Sequence, residues 1–405
     1  MKKYLSTFLL ALIAIGAVSC GGNKKDERRQ EIIDAEGMTY AQLVEKAKTE
    51  VGTNKVVVYG NSSQLVKALV KFTEETGIQI ESVKEGDADL YTHLGAAFQS
   101  GQYICDMALL QDGNKLQTEM LNTGYMTNFV PKDVKSLVAE DDQTPMAAVY
   151  LNKIFMYNNT KDHVQGGLTN YITNVWQLAG SASDEGHISS PSFKTPSTEN
   201  VNMNFLAMLT SPAWVEKLSA AYTSFYGTPY DGSKDNYQNI GYKWVAEFLT
   251  NSQAHSSDGT ACKNVAKGES GTVALVNYNK IKDCKSTEGY GTEDPRNLSF
   301  PSLELGDTKV GGFGGFCYKM YSMVATNARY PYAACALVNY ITSKTGFENA
   351  WGTLAGYYST NSTTAIASND KAIAWWKDRL VIEDPAYVAS IYRDFTMWEA
   401  QYEAK

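Results

Sequence analysis

From Lys55 to Leu110 the chain alternates between two periodicities, and that alternation leaves few architectures open. Lys55-Val-Val-Val-Tyr59 is the continuous apolar run that a strand buried on both faces requires. The turn Gly60-Asn61-Ser62-Ser63 follows; Leu65, Val66, Leu69, Val70 and Phe72 then recur at helical spacing until Gly77 closes the segment. Ile78 to Val83 reads as a second strand, Asp89 to Gln99 as a helix with Leu90, Leu94, Ala97 and Phe98 on one face, and Cys105 to Leu110 as a third strand. The order β-α-β-α-β predicts an α/β fold whose parallel sheet carries helices on both faces, with ligands beyond the carboxyl ends of its strands. The loops after Tyr59, Val83 and Leu110 are therefore candidate binding loops.

The theme returns further on. Ala147 to Tyr157 is a long β-rich run ending at Asn158-Asn159, His187 to Pro191 a short strand, Val201 to Leu209 a helix, and Thr272 to Val276 another strand. Phe313 to Ala325, after the pair Gly311-Gly312, is β-rich again, and the final third is helical, with Trp351, Trp375 and Trp376 as core anchors. The 405 residues suffice for two domains of about 100 to 200 residues each.

Chemistry is bounded mainly by what is missing. Net charge is −8, from 44 acids and 36 bases, which excludes the basic footprint of a nucleic-acid partner. The four histidines, His93, His163, His187 and His255, are isolated, with no HExxH pair; there is no GxSxG elbow and no GxxxxGK[ST] loop. Gly311-Gly-Phe-Gly-Gly315 lacks dinucleotide-loop spacing. The expectation is no enzyme and no cofactor. No two cysteines have CxxC spacing; Cys262 and Cys284 are placed to pair in an exported protein, while Cys105, Cys317 and Cys335 lie in apolar contexts.

The first residues address the protein. Lys2 and Lys3 precede an apolar stretch from Tyr4 to Val18, the build of a secretory signal and too short to span a bilayer as a helix. Ala17-Val18-Ser19-Cys20 resembles the bacterial lipobox, which implies cleavage before Cys20 and a lipid on its thiol. Residues 1–19 are then a lipoprotein signal peptide and 20–38 a lipidated flexible tether, placing the protein in the cell envelope, periplasmic or surface side, anchored to a membrane.

Several segments together resemble the solute-binding proteins of bacterial ABC importers: "VVVYGNSSQLVKALVKFTEETGIQIE", "CDMALLQDG", "MYNNT", "NVAKGESGTVALVNYN" and "SFPSLELG". The resemblance is to type 2 periplasmic binding proteins, in particular the ferric-ion-binding subfamily. It implies two α/β lobes joined by two crossover strands: 39–148 as the first part of lobe 1, 149–311 as lobe 2, and 312–405 as the return to lobe 1 with C-terminal helices. It also implies a monomer that captures a small molecule or ion between its lobes and hands it to a membrane permease driven by a cytoplasmic ATPase. A non-transport surface lipoprotein or adhesin is the alternative.

Carried over residue by residue, the ferric pattern mostly fails. A histidine, a glutamate and two adjacent tyrosines hold the metal in those relatives; the corresponding residues here are Ser63, Gln111 with Asp112 beside it, and Tyr278 followed by Asn279. One phenol among neutral neighbours offers ferric iron little anionic oxygen. If iron is the cargo, Tyr278 is its ligand, with Tyr357-Tyr358 either substituting for the missing groups or packing the hinge. An anion suits the other candidates, Tyr59, Asn61, Ser62 and Ser63 at one helix start and Ser197, Thr198 and Asn200 at another, where hydroxyls and unpaired N–H groups gather; a plain helix cap at Ser197 or Thr198 is the equal alternative.

Overall fold

The computed structural model describes residues 20–158, 172–180, 186–188, 190–267, 273–280, 298–299, 309–352 and 354–403. The signal segment 1–19, His163 and Cys284, with the pairing expected of it, lie outside the described residues, as does most of "SFPSLELG".

The described residues open with helices α1 (Cys20–Ala35) and α2 (Tyr40–Val51). Next come β1 (Lys55–Gly60), α3 (Leu65–Thr76), β2 (Gln79–Lys84), α4 (Asp87–Gln99) and β3 (Met107–Leu110), in the predicted order. Gly77 ends α3 at φ 80°, a left-handed cap that glycine adopts without a Cβ penalty. The three strands pair in parallel as β2-β1-β3, buried on the face where Val56, Val58 and Phe72 are sealed from solvent. A short helix α5 (Gly113–Lys115) runs into a π-helical turn (Leu116–Leu121), and β4 (Met126–Thr127) ends the first stretch of this lobe.

The second lobe repeats the layout with β6 (Ser192–Lys194), α6 (Asn200–Met208), α7 (Pro212–Tyr226), α8 (Ile240–Asn251), β7 (Gln253–His255), α9 (Asp258–Lys267) and β8 (Val273–Asn277). Its strands pair in parallel as β8-β6-β7. Two long strands join the halves: β5 (Ala147–Asn158) and β10 (Gly315–Ala325) pair antiparallel along the middle, β10 continuing onto β3 and β5 onto β8. Each strand thus belongs to both lobes. Where they first meet, Gly315 (φ 148°) is obligatory, because a Cβ there would lie 2.1 Å from the Lys153 carbonyl oxygen. A short strand β9 (Leu298–Ser299) adds to the far end of β5.

The rest of the chain folds as α10 (Pro331–Thr342), α11 (Lys344–Ala350), β11 (Tyr357–Ser359), α12 (Ile373–Lys377), β12 (Val381–Ile382) and α13 (Pro385–Glu399). Helix α10 packs on α2 in lobe 1, but α13 lies against α5 of lobe 1 and α6 of lobe 2 together. Its Trp398 stacks edge-on against Tyr242 of α8 at 4.7 Å, and Tyr387 shares a 2.8 Å hydrogen bond with Thr210. Among the described residues no helix is long and apolar enough to cross a membrane.

Three expectations need correction. The short strand is not His187 to Pro191 but β6, which begins after Pro191; proline has no N–H to give the ladder, and pairing with β8 starts at Ser192. The stretch read as a flexible tether is helix α1, held at its far end by the buried Ile32 and Ala35. Of the tryptophans, Trp351 and Trp376 are buried, whereas Trp375 is half-buried. Cys105, Cys262, Cys317 and Cys335 are all buried.

Candidate functional site

A cavity of about 560 Å³ opens between the lobes, walled by loops at the carboxyl ends of parallel strands, where an open α/β sheet presents its ligand site. Lobe 1 contributes Asn61 after β1, Lys84 at the end of β2 with Glu85 to Asp87 beyond it, and Gln111 after β3. Lobe 2 contributes Lys194 at the end of β6 with Glu199 beyond it, Ser257 to Gly259 at the start of α9, and Asn277 at the end of β8 with Lys280 beyond it. A smaller cavity of about 410 Å³, around Tyr40, Asp133 and Tyr340, draws its walls from lobe 1 and so lacks access to the second lobe.

Beneath the cleft lies a buried ion network. Lys153, on β5, is fully enclosed, and its Nζ reaches Asp258 Oδ1 at 3.2 Å and Glu199 Oε1 at 3.3 Å. Lys194 pairs with the other Glu199 oxygen. Asp258 Oδ2 accepts from the Asn277 backbone at 3.1 Å and side chain at 2.8 Å, and Asn277 Oδ1 accepts from Tyr318 at 2.8 Å. Burial alone would push the Lys153 ammonium down, but Asp258 and Glu199 outweigh it and hold it above its usual value. Burial likewise works against the Glu199 carboxylate, yet Lys153 and Lys194 keep it below the usual range. Charge on both sides is locked in, which fixes the geometry of β5, β8 and the entry to α6.

A second cluster ties the lobes together. Asp112, left-handed at φ 60°, follows β3; its Oδ1 accepts from the Lys115 backbone at 3.0 Å and from Asn204 Nδ2 of α6 at 2.7 Å. The same amide donates to Glu383 Oε1, after β12, at 2.9 Å. Burial pushes Asp112 up to about 6; burial and the Asp112 charge push Glu383 up to about 8.

The residues expected from the sequence divide clearly. Asn61 and Gln111 line the cleft, and Asp112 lies buried behind Gln111, which also carries a 2.5 Å bond from Tyr91. Tyr59 is half-buried on β1 beside the cleft loops. Ser62 accepts from the Trp351 indole at 3.4 Å, and Ser63 is exposed. Ser197 and Thr198 are exposed in a 3-10 turn; the Ser197 amide is taken by Glu403 at 2.9 Å, and the Thr198 hydroxyl bonds the Thr195 carbonyl at 3.1 Å. Helix α6 starts two residues later at Asn200, which is buried outside the cavity wall. Tyr278 is buried against Trp376, ring centroids 5.0 Å apart, and Tyr358 accepts from Asn152 at 3.2 Å; both sit in an apolar cluster behind the crossover strands with Asn279 close by. Burial, with Asp370 nearby, raises both phenols far above their usual range. Tyr357, beside Tyr358 on β11, faces Trp351. Among the described residues no group of three or more His, Cys, Asp or Glu is placed to hold a metal.

Sequence reasoning missed Lys153, Glu199, Asp258 and Asp87. A lysine inside the apolar run "AVYLNKIFMY" was a usable signal, since a fully buried lysine demands a carboxylate.

No family model and no curated protein matches the chain. Solved structures do. Iron-bound HitA from Pseudomonas aeruginosa superposes with a TM-score of 0.59 at 16% identity, covering 86% of this chain and 99% of that one. The ferric binding protein from Campylobacter jejuni gives 0.61 at 14%, over 86% and 99%. The periplasmic binding protein AfuA from Actinobacillus pleuropneumoniae, with fructose-6-phosphate bound, gives 0.61 at 15%, over 87% and 100%. The fold is therefore the two-lobed one that these ferric and periplasmic binding proteins share.

Proposed function

We propose that this chain is the lipid-anchored solute-binding component of an ABC importer, closing its two lobes on a small, polar, charged solute and delivering it to a membrane permease driven by a cytoplasmic ATPase. The observation that carries the reading is the cleft itself, walled by strand-end loops of both lobes and bridged by β5 and β10, the arrangement in which hinge rotation encloses a ligand. Lys84, exposed on its wall, suits an anionic group on the solute. Scattering of the monomer should show a smaller radius of gyration when a binding solute is added; a shape unchanged by a solute that binds measurably would move the assignment to a surface lipoprotein or adhesin.

The ligand class separates from ferric iron by one titration. Tyr278 packs against Trp376 outside the cavity wall, so a ferric chelate is expected to give no visible tyrosinate charge-transfer band. A band that Tyr278→Phe abolishes would make the chain an iron carrier with a rebuilt site.

The anchor rests on Cys20. Cys20→Ala should leave the protein without fatty-acid label and release it from the membrane fraction, because one residue carries the lipid. Equal labelling of variant and parent would end the lipoprotein assignment.

A further inference from the structure

The charged groups of the cleft are not equally satisfied. Glu199 and Asp258 are met by Lys153 and Lys194, and Glu85 lies 2.9 Å from His93 Nδ1. Asp87 differs. It opens α4 at 5% exposure, and among the described residues neither carboxylate oxygen has a hydrogen-bond donor. Asn61 Oδ1, on the same cavity wall, is also buried without one. Every buried side-chain atom that lacks a partner on this wall, among the described residues, is thus an acceptor.

Acceptors sealed from water and left empty call for donors from the ligand. The surroundings say what kind. Burial, Asp112 and Glu199 raise the Asp87 carboxyl well above the usual carboxylate range against the pull of Lys115 and Lys194, so without a ligand the group is held toward its neutral form. A neutral hydroxyl would leave it so, whereas a cation that takes the place of its proton lets both oxygens accept. An ammonium supplies three N–H donors and a positive charge from one small group. We propose that the cleft takes a solute carrying a protonated amine, seated on Asp87 and Asn61 Oδ1; this rests on the solute-capture reading above. Any anionic group on the same solute then faces Lys84, which is exposed on the cleft rim.

The test is a thermal-shift and calorimetric screen of the full mature chain with amines paired against counterparts that lack the amine: δ-aminovalerate against 5-hydroxyvalerate, cadaverine against 1,5-pentanediol, glucosamine against glucose, and the amino acids against their hydroxy acids. Amine-bearing members should raise the melting temperature while their counterparts do not. Asp87→Asn should weaken the best amine about ten- to a hundredfold. The unliganded variant should melt no lower than the parent, since the change keeps the shape and burial with Asp112 and Glu199 already holds this acid toward its neutral form. Should the asparagine misfold, Asn61→Ala is the second variant, with a weaker loss in the same direction.

A counterpart binding as tightly as its amine would overturn the inference while leaving solute capture standing. So would an amine whose affinity ignores both substitutions, or calcium alone stabilising the parent where no amine does. Silence from every member would count against solute capture as well.

Discussion

Lys153→Met should cost about 3 to 5 kcal/mol of unfolding free energy, the range seen when one partner of a buried ion pair is removed. Methionine fills much of the lysine stem's volume, so a cavity contributes little; the cost comes from two carboxylates left in the interior. Glu199 would keep Lys194 and Asp258 would keep the two Asn277 donors, which places the expected value toward the lower end. The pH dependence follows from the same contacts. Lys153 is held above its usual value, so its contribution is complete below the unfolded-state pKa and lost only as pH rises through the folded one. Glu199 is held below the usual range, so its contribution is present above its unfolded value and lost as pH falls through the folded one. The penalty should therefore be full at neutral pH and shrink in acid, where Glu199 protonates. Urea unfolding of variant and parent measures it. Adding Asp258→Asn to Lys153→Met should recover part of the loss; a single-variant cost below about 1 kcal/mol would mean that these charges are solvated.

How much of this was legible depended on whether the signal was local. The strands and helices of lobe 1 were, because Val56 to Val58 and the Leu65–Phe72 stripe state their periods within one element. The crossover strands were legible as long β-rich runs. The loops that hold the cleft residues Asn61 and Gln111 followed from topology, since strand ends face the ligand in such sheets; the two residues themselves were singled out by the polar turn at a helix start and by the ferric-binding resemblance. The ion network was not legible as a network: Lys153, Glu199 and Asp258 come from three separate elements, and nothing in any one segment names its partners. Asp87 fell in the loop after Val83, because the helix reads from Asp89 in the sequence, and nothing local says that this acid opens the helix and is buried. Ser197 and Thr198 misled for the converse reason. Hydroxyls before a helix look like an anion seat, but the helix begins at Asn200, and a carboxylate of the same chain, Glu403, takes the Ser197 amide. Tyr278 and Tyr358 belong to packing against the crossover strands, which aromatic spacing in the sequence does not distinguish from a cleft wall.

Glu383→Gln should stabilise the protein at neutral pH by about 1 to 3 kcal/mol, an unusual sign for a substitution in a buried polar cluster. Glu383 and Asp112 both accept from the single Asn204 amide, at 2.9 and 2.7 Å, which brings two acids together out of water. They relieve each other by one of them keeping a proton. Burial first, then the Asp112 charge, pushes Glu383 up to about 8, against an unfolded value of about 4.3. Across that window the folded chain holds a proton that the unfolded chain releases, so the unfolded state binds fewer protons and stability falls as pH rises. Below the window both states are protonated and nothing is lost. Glutamine keeps the oxygen that accepts from Asn204 and never carries the charge, so its advantage should be absent near pH 4, grow through neutrality and level off above about pH 8. Thermal unfolding of variant and parent over that range reads the difference directly. An advantage independent of pH would mean that Glu383 does not titrate in the window, and a loss at neutral pH would mean that its ionised form is what joins α6 of lobe 2 to the end of β3.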